Sequence, residues 1–269
     1  MVKRDWDDAF ANMAHIAGAE TYPAFWAERA AAFRASPVQI DQDIRYGDGE
    51  RAMLDIVWPE GTPKGLAVFV HGGFWIRMDK SYWTDLAIGA RTNGWAVAFP
   101  QYTLAPEARI SEMTRQVATA IAAASKRVDG PIRLAGHSAG GHLVSRMVCA
   151  DTPLPSEVLE RVQHVLSISG LHDLRPLMWT AMNDLLKLDD DEATQESAAL
   201  QRPHGRANVT AWVGGGERPE FIRQTQLLAM MWAGLDAQIC EVIEGDHNHF
   251  TVLDSLKQPD SALTRAFVG

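Results

Sequence analysis

IRLAGHSAGGHLV, residues 132–144, is the stretch on which the reading of this chain turns. Its first four residues are a short run of strand type, and from Gly140 the spacing becomes helical. Between them stands Gly136-His137-Ser138-Ala139-Gly140, a G-x-S-x-G pattern. A serine on a sharp strand-to-helix turn is held in a strained conformation, and small flanking residues let that turn close. Its hydroxyl then projects from the sheet edge, and a helix N-terminus lies beneath any negative charge that develops. Ordinary glycine usage produces the bare pattern in about one chain in ten of this length. Its seat between an apolar strand and a helix is what makes Ser138 a candidate nucleophile.

Upstream, Leu66–Val70 (LAVFV) is a continuous apolar run ended by His71-Gly72-Gly73-Phe74-Trp75. Such runs suit strands buried on both faces of a parallel sheet. Two glycines leave backbone N–H groups that no side chain blocks, as an oxyanion hole requires. Gly72, Gly73 and Ala139 are the expected donors. Strand readings at 38–44, 52–58, 66–70, 95–99, 131–135, 162–169, 207–213 and 238–243 are interspersed with helical readings at 107–128, 140–150, 219–233 and 250–256. That alternation means crossover units on a mostly parallel sheet. Residues 1–37 also read as helical, with Phe10, Met13, Ile16, Phe25, Trp26 and Phe33 amid alanines. The expected class is α/β, a mostly parallel eight-stranded sheet flanked by helices.

A serine nucleophile needs a base, and the base needs a carboxylate to orient it. After the last strand the chain reads Gly245-Asp246-His247-Asn248-His249-Phe250, so one of two histidines should reach Ser138. After the strand before it comes Gly214-Gly215-Gly216-Glu217-Arg218-Pro219-Glu220, whose first carboxylate is Glu217. The order serine, acid, histidine is that of the α/β-hydrolase fold, and the HGG turn two strands ahead of the serine fits it too. A plain helix-start acid would also suit Glu217, but the chain order places the orienting acid at this point. His15, His164 and His204 lie outside every motif. His137 reads as a shaper of the turn, His142 as a helix residue near the site, and His172 as a residue at the start of an insertion, within reach of substrate.

That insertion, residues 171–206, is too long for a simple crossover. It holds a helical piece at 177–188 and the acidic run Asp189-Asp190-Asp191-Glu192. Long ordered insertions in compact domains tend to be functional. The expectation is therefore a helical lid over the site, within a single domain spanning 1–269. The acidic run reads as a solvated helix start, because no histidine or further carboxylate cluster joins it at ligand spacing. No metal and no organic cofactor is expected. The net charge of −9 argues against a nucleic-acid partner. No polybasic patch and no apolar stretch long enough to span a bilayer points to a membrane. MVKRDWDDAF has acidic residues where a signal peptide needs an apolar run, so the cytoplasm is the expected compartment. Cys149 and Cys240 stand in no metal or redox spacing and read as small buried apolar residues, one on a helix and one on a strand. The expected partner is a small-molecule acyl substrate, and a homodimer is left open.

Together HGGFW, QYTLAPE (Gln101–Glu107) and GHSAGG (Gly136–Gly141) resemble the hormone-sensitive-lipase-like branch of the α/β-hydrolases. Within it the chain resembles the kynurenine formamidase (arylformamidase) group. It is similar in HGG-x-W in place of HGGG, in a GERPEF-like acid loop (Gly216–Phe221), in a lid resembling DLRPL…N..L.L (Asp173–Leu188), and in His249-Phe250. The resemblance covers roughly residues 50–256. It implies Ser138 as nucleophile, Glu217 as acid, His249 as base, and Gly72, Gly73 and Ala139 as oxyanion donors. The chain departs from those formamidases in carrying Glu217 where they usually carry Asp; glutamate fills that role elsewhere in the fold.

The expected reaction is two-step acyl transfer through an acyl-enzyme on Ser138. Phe74, Trp75, Tyr102 and Trp179 are the expected aromatic pocket. Phe74 stands where HGGG has its third glycine and would narrow the acyl side, while Met178, Trp179 and Met182 would cover an aromatic ring. A small acyl group, formyl or acetyl, on an aromatic amide or ester is the expected substrate, with N-formylkynurenine a candidate. The alternative is a general short-chain carboxylesterase. A non-catalytic hydrolase-fold binding protein usually lacks a triad member or blocks the oxyanion glycines, and here every part is present.

Overall fold

All eight expected strands form. In a computed structural model that describes residues 4–205 and 208–269 they are β1 (Ile40–Arg45), β2 (Met53–Val57), β3 (Leu66–Val70), β4 (Ala96–Pro100), β5 (Ile132–His137), β6 (Val162–Ile168), β7 (Asn208–Gly214) and β8 (Gln238–Glu244). Arg206 and Ala207, where the expected lid ends and the seventh strand begins, lie outside the described residues, as does the start of the helical reading at 1–3. The strands make one sheet in the order β1-β2-β4-β3-β5-β6-β7-β8. β2 runs antiparallel to both β1 and β4, and every later pair is parallel.

Side chains alternate between the two faces of a strand. Leu66, Val68, Val70, Ile132 and Leu134 pack on one face with the helices Ile110–Ser125, Ala139–Arg146 and Pro219–Ala233. Ala67, Phe69, Leu166, Ile168 and Trp212 pack on the other with Trp26, Leu253, Leu263 and Phe267. The sheet is thus the middle of three layers. In Ile110–Ser125 the buried Ile110, Met113, Val117, Ile121 and Ala124 recur at helical spacing. Each large apolar side chain buried in this way stabilises the fold by about 1.5–3 kcal/mol.

Other expectations need correction. Residues 1–37 are not one helical run: Trp6–Phe10 and Tyr22–Arg34 are separated by 3-10 turns at Met13–His15 and Ala19–Thr21. Gly18, with φ 69°, lies in the break. The piece expected at 177–188 is a 3-10 turn, Arg175–Trp179, and a short helix, Asn183–Leu186, which stops at Lys187 with φ 56°. The segment at 250–256 is 3-10, Thr251–Lys257, and a further helix, Ala262–Val268, follows it. Asp189 does cap a helix, Asp190–Gln195. Glu192 is buried rather than solvated, however, accepting from Arg109 Nε at 2.6 Å and the Ser111 N–H at 3.0 Å. Cys240 is exposed because β8 is an edge strand. Cys149 is buried, but beyond the end of its helix, in a bridge to Pro203. No helix among the described residues is long and apolar enough to cross a membrane.

Candidate active site

β3, β5, β6, β7 and β8 are successive neighbours and parallel, so their carboxyl ends line one edge of the sheet. Ligands of such sheets bind at that edge. His71, Gly72 and Gly73 follow β3, Ser138 follows β5, Ser169 follows β6, Glu217 follows β7, and His249 lies beyond β8.

Ser138 has φ 55° and ψ −117°, a conformation that costs a non-glycine residue roughly 1–3 kcal/mol. Packing around it imposes that strain. Its N–H donates to the Ile168 carbonyl at 2.8 Å. A Cβ on Gly136 would lie 2.2 Å from the Gly140 carbonyl oxygen, and one on Gly140 would lie 1.9 Å from that of Val70. The outer glycines of G-x-S-x-G are therefore steric requirements. At the neighbouring turn, a Cβ on Gly72 would lie 2.7 Å from the His137 carbonyl oxygen. The N–H groups of Gly72, Gly73 and Ala139 meet no acceptor among the described residues. That of Ala139 opens a helix, where such donors have no partner within the helix.

His249 Nδ1 and Glu217 Oε2 are 2.6 Å apart, and both side chains are buried. The other carboxylate oxygen, Oε1, accepts from Ser169 Oγ at 2.5 Å and from the Gly214 N–H at 2.9 Å. The loops after β7 and β8 come together because Gly214 has no Cβ, which would lie 2.0 Å from the His247 carbonyl oxygen. Gly216 donates to that same carbonyl at 3.0 Å. The His249 ring packs against Phe221 and His137, with ring centroids 4.4 and 4.5 Å away. His137 Nε2 donates to the His249 carbonyl at 2.9 Å. Burial, and secondarily the charge His249 can carry, hold the His137 imidazole well below its usual range, so it stays neutral.

The competing residues are placed elsewhere. His247 is half-buried, with its Nδ1 3.3 Å from Thr251 Oγ1. Glu220 is buried among Arg4, Arg223 and Gln224. His172 is buried against Ser167 Oγ at 3.2 Å and does not line the site cavity, and His142 donates to the Glu196 carbonyl at 2.7 Å.

Ser138 and His249 line one cavity of about 580 Å³. Phe10, Trp26, Phe74, Tyr82, Trp83 and Phe250 give it aromatic walls. Of the four aromatics expected there, only Phe74 is in place. Trp75 is fully buried, edge-on to His142. Tyr102 is also buried; its ring stacks on His71 at 4.5 Å and its hydroxyl donates to the His71 carbonyl. Both shore up the HGG turn from behind. Trp179 is 61% exposed and packs on Trp6, outside the cavity. From the 171–205 segment only Met182 reaches the cavity.

The N-terminal segment also lines the cavity, through Asp7, Phe10, Ala11, Asn12 and Met13. Sequence reasoning missed this role, although it had marked Phe10, Met13 and Trp26 as apolar positions. The segment is tied down beside the acid loop: Arg218 pairs with Asp8, and the Ala181 N–H donates to Asp7 Oδ1 at 2.7 Å.

Comparison with known proteins adds four findings. Residues 67–218 match the α/β hydrolase fold family, a span holding the HGG turn, Ser138 and Glu217 but not His249. A solved structure of a candidate thioesterase from Silicibacter sp. is 48% identical with a TM-score of 0.94, covering 99% of this chain and 100% of that one. A kynurenine formamidase from Danio rerio is 27% identical over 241 residues, 86% of this chain and 81% of the relative. Its counterpart from Drosophila melanogaster is 29% identical over 239 residues, 82% and 78%.

Proposed function

The chain belongs to the α/β-hydrolase fold family, and on that premise we propose that it is a serine hydrolase. In this reading it releases a small acyl group, formyl or acetyl, from an aromatic amide or ester through an acyl-enzyme on Ser138. One observation carries the proposal: Ser138, in its strained turn, lines the same cavity as His249, which is held 2.6 Å from Glu217. The Glu217 carboxylate fixes the imidazole with its proton on Nδ1, leaving Nε2 to take the Ser138 proton. The serine oxygen attacks the acyl carbon, and the N–H groups of Gly72, Gly73 and Ala139 hold the oxyanion. His249 then protonates the departing amine or alcohol, and water releases the acyl group.

Aromatic walls on the cavity support an aromatic leaving group. An aryl amine is a better leaving group than an alkyl amine, which brings a formamide within reach of a serine. Similarity to the kynurenine formamidases supports N-formylkynurenine as the substrate. The cover over the site is composite in this reading, Met182 from the 171–206 insertion and the N-terminal segment closing one domain.

A second reading, a short-chain carboxylesterase or thioesterase, is favoured by the cavity's size and by similarity to the candidate thioesterase. The test is kcat/KM for N-formylkynurenine beside p-nitrophenyl esters of two to eight carbons and an acetyl thioester. A formamide value of about 10⁵ M⁻¹s⁻¹ or more supports the first reading. No turnover of the formamide, with activity persisting on the longer chains, gives the site to the second. Folded Ser138→Ala should lose several orders of magnitude in kcat on every substrate.

A further inference from the structure

A second cavity, of about 160 Å³, adjoins the His249–Glu217 pair on the side of the acid loop. Its lining is largely polar, with Asn12, His15, Glu217, Arg218 and Asn248, whereas the large cavity has aromatic walls. Two residues line both, His249 and Asn12. Asn12 is 3% exposed, and its side-chain nitrogen has no hydrogen-bond partner among the described residues. A buried amide left unpaired costs roughly 1–3 kcal/mol, and such groups are rare in folded chains. At about 30 Å³ per molecule the small cavity has room for several waters, and its polar lining can hydrogen-bond them.

We propose that this polar chamber is the route by which the hydrolytic water reaches the acyl-enzyme, with Asn12 passing it from the small cavity to the Ser138 face of His249. The inference rests on the serine mechanism proposed above. Deacylation needs a water whose oxygen bonds to the acyl carbon while His249 takes one of its protons. The bond from that carbon to Ser138 Oγ then breaks, the proton returns to Oγ, and the acid departs. Apolar surface holds water weakly, so the large cavity, mostly aromatic although Asp7, Asn12 and Arg77 also line it, is the poorer source of that water once substrate fills it. A side-chain amide both donates and accepts. At the wall shared by the two cavities it can hold a water in transit, which a purely apolar residue cannot.

The test separates the two half-reactions. p-Nitrophenyl dimethylcarbamate should carbamoylate Ser138, with acylation read from p-nitrophenolate release. Deacylation is then read from recovery of esterase activity after the reagent is removed. Asn12→Leu keeps the volume and removes the polarity. Ile16→Trp fills the small cavity from a residue that does not line the large one. Each variant should slow recovery by about tenfold or more, a barrier increase of about 1.4 kcal/mol, and in Ile16→Trp acylation should stay within about threefold of wild type. Asn12→Ser should recover at a near-normal rate. Unchanged recovery in folded Ile16→Trp, or acylation and recovery falling together in that variant, overturns the proposal. If Asn12→Leu does not fold, Ile16→Trp decides alone. Absence of any carbamoyl group on Ser138 by mass spectrometry overturns the serine mechanism and this inference with it. A labelled Ser138 whose recovery ignores both substitutions overturns this inference only.

Discussion

Glu217→Gln should cost about 10⁴-fold in kcat, and the contacts of Glu217 dictate why. Its Oε1 accepts from the Gly214 N–H, a backbone donor that cannot turn round, and from Ser169 Oγ. A glutamine at this position must keep its carbonyl oxygen on that side. Its NH₂ then falls where Oε2 now stands, 2.6 Å from His249 Nδ1. An amide donates there, so Nδ1 must accept, and the ring proton moves to Nε2. A protonated Nε2 cannot take the Ser138 proton, and a neutral amide cannot steady the imidazolium. A carboxylate-to-amide change of this kind in a serine protease triad is associated with a loss of about 10⁴ in kcat, or about 5.4 kcal/mol. Glu220→Gln is the control. Its partners are Arg4, Arg223 and Gln224, so kcat should stay within about tenfold of wild type while thermal stability falls. The assay is kcat on p-nitrophenyl acetate, with circular dichroism to verify folding. A Glu217→Gln enzyme retaining a tenth of wild-type kcat, or equal losses in the two variants, would refute the reasoning.

Three other outcomes are expected. His249→Ala should lose about 10³-fold or more in kcat, and His247→Ala, whose ring meets Thr251, should stay within about fivefold; the reverse pattern would reassign the base. Gly140→Ala puts a Cβ 1.9 Å from the Val70 carbonyl oxygen and should destabilise by at least about 3 kcal/mol or prevent folding; a urea midpoint near wild type would contradict this. Burial holds His71 at about 4 and His142 and His172 at about 3. Below the ordinary histidine range, about pH 6.5, the unfolded chain binds protons that the fold refuses. Stability is therefore full above that pH and lost as pH falls toward 4, by up to about 1.4 kcal/mol per pH unit for each ring. Equal urea midpoints at pH 7 and pH 5 would rule this out.

The central strands were legible because burial on both faces writes itself into local sequence, as in LAVFV, which is buried throughout and ended by His71-Gly72-Gly73. Other features depend on what lies across space. Over the seven residues Thr251–Lys257 a 3-10 turn and an α-helix share much the same apolar spacing. The exposure of Cys240 follows from β8 lying at the sheet edge, a fact of topology and not of its neighbours in the chain. Chain order points to the loop after β7, because a carboxylate there stands beside whatever follows β8 when those strands are neighbours; within that loop Glu217 is preferred over Glu220 only as the first carboxylate.

The aromatic pocket failed for a related reason. Trp75 and Tyr102 sit inside or beside the motifs, so proximity in sequence suggested proximity to substrate. But the HGG loop must itself be held rigid. Phe74 and Trp75 both have positive φ, at 53° and 59°. Phe74 lines the cavity, while Trp75 is turned inward behind the turn it stabilises. Much of the cavity wall comes instead from a segment more than fifty residues before the nearest motif, held by the Asp8–Arg218 pair and by Asp7 to Ala181. In the proposed reaction no side chain of that segment forms or breaks a bond, so the spacing of the nucleophile, acid and base does not constrain it. A serine–acid–histidine triad, as proposed for Ser138, Glu217 and His249, needs close hydrogen-bond geometry, which is why such a site leaves a readable pattern. A wall need only have the right shape and a mostly apolar surface, a condition that many sequences meet and that no motif announces.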